Sequence, residues 1–342
     1  MVQLRERAVR AAYKGQQASL LVACGVVQNV LRRTLLGTKD KVGGEPFRAL
    51  RRRYLDLLET DLANVRAGIY PEQLLFGLPV AHYARRLPML AREVPRVIRR
   101  MRTRDYADLP HDVDLSSYPP YYRRTFHWQS DGYLSRRSAA LYDVGVEFLF
   151  GGTADIMRRQ AIPPLRSARP RKILDVACGT GRTLAQLRAA FPDAELTGLD
   201  LSPYYLDEAR TIVGDDVELV QGNAEAMPMA DASVDAIVSV YLFHELPRNA
   251  RRRVMAEMFR VLRPGGRLVL LDSVQCSDAE EIVYFLERFQ AELHEPFYRD
   301  YIRDDLAAAL RETGFDVEIE GGPAYLTKVV AATRPSVVKH GA

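Results

Sequence analysis

Ile173-Leu174-Asp175-Val176-Ala177-Cys178-Gly179-Thr180-Gly181, running on into Arg182 and the residues up to Ala190, is the stretch from which the rest of the chain can be read. An apolar run of strand length passes into a glycine turn, after which the apolar spacing becomes helical. Residues 172–177 therefore read as a buried strand and 182–190 as the helix that follows it. Gly179 and Gly181 remove the side chains that would hold a ligand off the backbone. Such a turn also aims N–H groups and a helix N-terminus at a polar group, for which a carboxylate is a natural occupant. An ordinary strand-to-helix turn can use the same glycines, whereas a dinucleotide fingerprint needs a third glycine where this chain has Leu184. Asp175, inside the strand, is placed to accept hydrogen bonds from the turn amides and to draw a cationic group such as an ammonium.

Beyond this unit, strand-length apolar runs at 195–200, 217–221, 234–241 and 267–272 alternate with helical stretches. Two late strands, 315–320 and 324–333, lie close enough in sequence for antiparallel pairing. The pattern predicts an α/β fold, a Rossmann-like seven-stranded mostly parallel sheet with one antiparallel strand. Asp200 ends the second strand and can take both hydroxyls of a ribose, while Ser202 is the better N-cap for the helix starting at Pro203. At the end of the third strand, Gln221-Gly222-Asn223-Ala224-Glu225 offers polar groups to an adenine edge, or is simply a loop. Three strand ends with partners for an amino-acid group, a ribose and a base converge on one crevice, the usual ligand position in an open sheet.

The N-terminal third reads differently, as a helical extension with helical apolar spacing broken by Pro46, Pro71, Pro79, Pro88 and Pro95. Its apolar stretch at 18–36 is interrupted by Gln28, Asn29, Arg32 and Arg33, so a helix is expected there and a membrane span is not. Residues 1–110 hold 21 Lys and Arg against 10 Asp and Glu, a net +11, and the rest of the chain carries −7. Such a basic part suits an anionic membrane surface, a nucleic acid or an acidic neighbour in the same protein. Arg85 to Arg104 is basic but mostly aliphatic, which favours a membrane surface or acidic partner over nucleic acid. Cys24, Cys178 and Cys276 match no zinc spacing and form no disulfide framework, in keeping with a reducing, cytoplasmic setting.

The series Leu174-Asp175-Val176-Ala177-Cys178-Gly179-Thr180-Gly181, Asp200-Leu201-Ser202, Gly222-Asn223-Ala224-Glu225, Phe243-His244-Glu245-Leu246 and Val261-Leu262-Arg263-Pro264-Gly265-Gly266-Arg267 resembles the class I methyltransferases. Within them it looks most similar to the ubiquinone/menaquinone C-methyltransferase-like branch, over about residues 135–333. The resemblance implies S-adenosylmethionine (SAM) as cofactor. Asp175, Ala177, Cys178, Gly179, Thr180 and Gly181 would form its loop, Asp200 and Leu201 would hold the ribose, and Asn223 and Ala224 would meet the adenine. Tyr142 and Tyr241 would complete the set. Asn223 stands where relatives commonly have Asp, and its carbonyl can still accept from the adenine amino group. On this reading the chain divides into a helical extension (1–115), a helical and aromatic lid segment (116–170) and a SAM-binding domain (171–334).

The expected reaction is methyl transfer to a small, apolar or aromatic acceptor at carbon or oxygen. His244, just past the fourth strand, is the candidate base, because histidine titrates in the useful range; it can equally cap the loop before the helix at Arg248. Glu245 orients it or faces solvent. Tyr133 and Trp128 from the aromatic run, with His294 and Tyr298 further on, are the expected acceptor contacts. No clustered Asp, Glu and His set points to a metal. The alternatives are a nucleic-acid methyltransferase using the basic extension and a SAM-binding protein without turnover. Against the first, 239–243 lacks the Asn/Asp-Pro-Pro-aromatic run of amino-methylating enzymes that act on nucleobases. The extension can also build part of the acceptor pocket or a homo-oligomer contact.

Overall fold

The computed structural model describes residues 2–35, 44–127 and 129–336. Its centre is a sheet of β1 (Lys172–Val176), β2 (Glu195–Asp200), β3 (Glu218–Gln221), β4 (Val234–Val240), β5 (Leu262–Ser273), β6 (Asp316–Ala324) and β7 (Thr327–Thr333), in the order β3-β2-β1-β4-β5-β7-β6. All strands are parallel except β7, which runs antiparallel to β5 and β6. This is the seven-stranded arrangement expected from the sequence. β4 is buried at every position, and β1 at every position after Lys172, because helices cover both faces of the sheet.

The helices are α1 (Val2–Leu35), α2 (Glu45–Arg66), α3 (Val80–Thr103), α4 (Arg136–Leu149), α5 (Ala154–Arg158), α6 (Pro163–Arg166), α7 (Arg182–Ala190), α8 (Pro203–Val213), α9 (Arg248–Val261), α10 (Val283–Leu293), α11 (Tyr298–Tyr301) and α12 (Leu306–Thr313). Strand alternation sends Leu174, Val176 and Ile237 to one face, where they pack with Val254, Met255 and Met258 of α9. Ile173, Ala236 and Val238 go to the other, against Leu184 and Leu187 of α7. Each such fully buried aliphatic side chain contributes roughly 1.5–3 kcal/mol. Strand order reverses at β1, with β2 on one side and β4 on the other, so their C-terminal ends frame a crevice.

Several boundaries differ from expectation for local reasons. α12 starts at Leu306 rather than 303 because the Asp305 side chain caps it, accepting from the Ala308 amide at 2.9 Å. β5 begins at Leu262, and a register shift opposite Val234 and Ala236 absorbs the Arg-Pro-Gly-Gly run. The last hairpin turns at Tyr325, whose φ of 65° ends the ladder between β6 and β7.

A buried carboxylate fastens the basic extension to the segment that precedes the sheet, and Arg53 of α2 joins the extension to Glu281 and the Tyr325 carbonyl. Asp61 on α2 is fully buried and accepts from the hydroxyls of Tyr13 on α1 (2.5 Å) and Tyr70 (2.6 Å). It also holds the Arg159 guanidinium, with Nε at 2.6 Å. Tyr54, Leu57, Leu58 and Leu62 of α2 pack in one cluster with Ala324, and half-buried Tyr241 borders it. Among the described residues, no helix is long and apolar enough to cross a membrane. Asp61→Ala leaves the buried Arg159 cation unpaired, and we expect urea unfolding to show a loss of about 3–5 kcal/mol. Unchanged stability would mean that Asp61 does not carry this junction.

Candidate active site

The crevice opens over the C-terminal ends of β1, β2, β3 and β4. It measures about 760 Å³, counting space open to solvent, and is walled by Ala177, Gly179, Asp200, Leu201, Asn223, Ala224, Tyr241 and Glu245, with Tyr122, Tyr133 and Tyr142 facing them. The two glycines of the turn serve different ends. A side chain at Gly179 (φ 54°) would meet nothing within 4 Å, so its absence leaves the crevice floor open. Gly181 (φ 81°) lets α8 approach, since a Cβ there would lie 3.1 Å from that of Ala209. Cys178 is buried and packs against Gly198 on β2, where an added Cβ would lie 2.8 Å from its sulfur. Thr180 is also buried and donates to Asp143 of α4 at 2.9 Å. Cys178, Thr180 and Gly181 thus support the turn from beneath rather than lining the crevice.

The two strand-end carboxylates are treated differently by the fold. The Gly179 amide donates to Asp200 Oδ2 and the Ser202 amide to Oδ1, each at 2.8 Å. Asp175 is 1% exposed, and neither of its oxygens has a hydrogen-bond partner among the described residues. The expectation that the turn amides would bond Asp175 is therefore corrected. The turn leans over β2, with the Cys178 amide donating to the Leu199 carbonyl, and this brings Gly179 to Asp200. Burial, reinforced by the Asp200 charge, pushes the Asp175 carboxyl up to about 8. Burial also lifts Asp200, to about 6, against the pull of its amide donors.

At the third strand end, Asn223 Oδ1 accepts from the Glu225 amide at 2.9 Å, which fixes the loop and turns the side-chain carbonyl partly to local use. Ala177 and Tyr241 end β1 and β4 with left-handed backbones, both at φ 61°, and both line the crevice. Such strain persists where the surrounding structure fixes a functional geometry. The Arg158 guanidinium lies 5.8 Å from the Tyr241 ring centroid.

His244 is anchored at one ring nitrogen. It is 7% exposed, its Nδ1 lies 2.6 Å from Asp272 Oδ1, and Asp272 Oδ2 accepts from the Phe243 amide at 2.7 Å. Burial works against its charge, but Asp272 prevails and raises His244 to about 9. Asp272, at the end of β5, is therefore the residue that orients His244. Glu245 turns instead to the lid segment, accepting from the Tyr133 hydroxyl and contacting His127 Nε2 at 3.1 Å.

Tyr133 reaches the crevice, and its carbonyl accepts from Ser202 Oγ at 2.6 Å, tying the lid to the N-cap of α8. His294 and Tyr298 stand behind the crevice wall. His294 stacks on Tyr106 with centroids 3.8 Å apart, and the Tyr298 hydroxyl bonds Ser273 at 2.6 Å. Trp128 lies outside the described residues. Sequence reasoning did not single out Tyr205 and Asp272, and Glu295 stood out only beside His294 and Tyr298 as an acceptor-side residue. Asp272 had a usable signal, since it closes an apolar strand in the same manner as Asp200.

A crevice at the switch point of such a sheet, with a carboxylate at the end of β2, defines a nucleoside-binding α/β protein. Residues 173–266 match the family described as "Methyltransferase domain". The chain is 37% identical over 144 residues to a ubiquinone/menaquinone biosynthesis C-methyltransferase of Methylobacterium nodulans, covering 40% of this chain and 56% of that protein. It is 35% identical over 162 residues to an O-methyltransferase of Aspergillus nomiae, covering 45% and 68%. To a second ubiquinone/menaquinone biosynthesis C-methyltransferase, from Desulfotalea psychrophila, it is 30% identical over 181 residues, covering 53% and 72%. The match spans little more than half the length of the first of these relatives. The chain belongs to the class I SAM-dependent methyltransferases, in the ubiquinone/menaquinone C-methyltransferase-like branch.

The family's cofactor, SAM, fits these residues, because the buried Asp175 carboxylate lacks a partner and the Gly179 floor is open. An acid whose carboxyl is raised from 3.8 to about 8 by folding stabilises the folded state fully below the unfolded value. That contribution is lost as pH rises through the folded one. The ligand-free wild type should therefore lose stability relative to Asp175→Asn between pH 4 and about 8, as read by urea unfolding at both ends. Equal slopes would show that Asp175 has a partner in solution.

Proposed function

We propose that the protein transfers the methyl group of SAM to a small, apolar or aromatic acceptor at carbon or oxygen. When bound, SAM supplies a methyl group on a positively charged sulfur. The observation that carries the reading is the pairing of cofactor-type strand ends with an aromatic wall, Tyr122, Tyr133, Tyr142 and Tyr241, in one crevice. In this proposal Asp175 takes the cofactor's ammonium, Asp200 the ribose hydroxyls, and Asn223 and Ala224 border the adenine. Leu201, Tyr142 and Tyr241 hold its flanks, while Cys178, Thr180 and Gly181 shape the turn. His244, fixed by Asp272, positions the 243–245 turn rather than acting as base. The working division is a SAM-binding unit at 171–334, a lid at 116–170 and the extension at 1–115.

A peripheral contact with an anionic lipid surface is supported by the exposed residues of α3. Arg85, Arg92 and Arg102 are exposed there with Val80, Leu87 and Met89, while the helix's single acid, Glu93, is buried against Arg100.

Calorimetric titration with SAM should show binding to one site, lost or weakened at least a hundredfold in Asp200→Ala, since both ribose hydroxyls lose a charged acceptor. Equal affinity would remove Asp200 from the site. Flotation with phosphatidylserine vesicles should recover the protein, phosphatidylcholine vesicles should not, and Arg85→Glu with Arg92→Glu should abolish recovery. Equal recovery with both lipids would refute the surface contact.

A further inference from the structure

Glu245 is the acid at the mouth of the aromatic wall, and the surrounding fold has prepared one of its two oxygens. It follows β4 in the 243–245 turn and lines the crevice beside Tyr133, Tyr142 and Tyr241, with a side chain 13% exposed. His127 Nε2 and the Tyr133 hydroxyl both address Oε1, and His244 Nε2 stands 4.0 Å from the same oxygen. Among the described residues no donor reaches Oε2.

The support behind Glu245 is unusual in its charges. His127 has a left-handed backbone (φ 52°), and its other nitrogen, Nδ1, lies against the carboxylate of Glu295, which is 1% exposed. One imidazole is thus clamped between two carboxylates from distant parts of the chain. Glu295 and Glu245 favour the cationic form of that ring despite its burial, with Nε2 bonded to Glu245 and Nδ1 in ion-pair contact with Glu295. His244 is held by Asp272 at Nδ1 alone, and it does not line the crevice. Of the groups gathered here, Glu245 alone combines exposure to the crevice with an oxygen that has no donor among the described residues.

We infer that Glu245 Oε2 receives the hydroxyl of a flat phenolic acceptor and takes its proton, with His127 and Glu295 as positioning residues. The inference rests on the methyl-transfer reading above and specifies its substrate class. As the O–H bond breaks, the proton goes to Oε2 and the freed electron pair forms the new oxygen–carbon bond. The carbon–sulfur bond breaks with its pair left on sulfur. His127, Glu245 and Glu295 also place ligand atoms within 4.8 Å of one another, the spacing of a cation site. The clamp argues against that use, because its two imidazole nitrogens face different carboxylates, whereas a metal is bound through one.

The test uses 2-naphthol, a fluorescent phenol, and 2-methoxynaphthalene, its ether, titrated into the full chain with and without S-adenosylhomocysteine. Wild type should bind the naphthol about tenfold or more tightly than the ether, as expected for a hydroxyl donating to a carboxylate. Glu245→Gln should erase most of that preference while calorimetry shows unchanged affinity for S-adenosylhomocysteine. His127→Asn should weaken naphthol binding in wild type and have little effect in the Glu245→Gln background, a coupling that a merely structural role would not produce. Should Glu245→Gln lose the nucleoside ligand, Glu245→Asp, which withdraws the charge by one methylene, gives the same comparison. Equal binding of the two naphthalenes by wild type, absence of naphthol binding in both conditions, or an unchanged preference in the variant overturns the inference. So does Mn²⁺ binding at one ion per chain that Glu245→Gln abolishes. Failure to bind S-adenosylhomocysteine counts against the methyl-transfer reading instead, since the naphthol comparison is also run without it.

Discussion

Two carboxylates stand at the ends of adjacent parallel strands, and the glycine turn has amides for only one of them. The register of β1 on β2, with Val176 beside Leu199, carries the turn over Asp200 and leaves Asp175 buried without a donor. A buried carboxyl in that state disfavours its own charge, and a cationic ligand group is what would restore it. This asymmetry places an unpartnered carboxylate behind the open floor of the crevice.

The turn is held in place by charge as well as by strand pairing. Arg182, the first residue of α7, pairs with Asp155 of α5, and Asp155 also holds Arg158 at 2.9 Å. Thr180 bonds Asp143 on α4, the helix that brings Tyr142 to the crevice. Glu147, on the same helix, accepts from the Ala154 and Asp155 amides. Buried ion pairs of this kind contribute little net stability relative to apolar packing, but losing one partner is costly. Their effect is to lock the aromatic segment, the glycine turn and the start of α7 into one arrangement, so that the floor and the wall of the crevice do not vary independently.

The sheet was largely legible because its determinants are local. β2 has the expected bounds, since its apolar run is closed by Asp200 and by the cap at Ser202. The site was legible only in part, because its chemistry depends on which side chains meet across long sequence separations. Nothing in the order of residues tells which of two acids a turn amide will choose; the strand register decides it. His127 lies 118 residues from Glu245, and Glu295 lies farther along a different excursion of the chain, so no spacing pattern could join them. His244 looked like a base because histidine usually titrates near neutrality. Asp272, 28 residues away, moves that titration upward.

The most direct test of the account is a crystal structure of the full chain with S-adenosylhomocysteine bound. The account predicts the ligand's ammonium within hydrogen-bond distance of Asp175, its ribose hydroxyls on Asp200 and its adenine beside Asn223 and Ala224, with the Gly179 amide still on Asp200. A ligand bound elsewhere, or bound here with Asp175 still unpartnered, would contradict it.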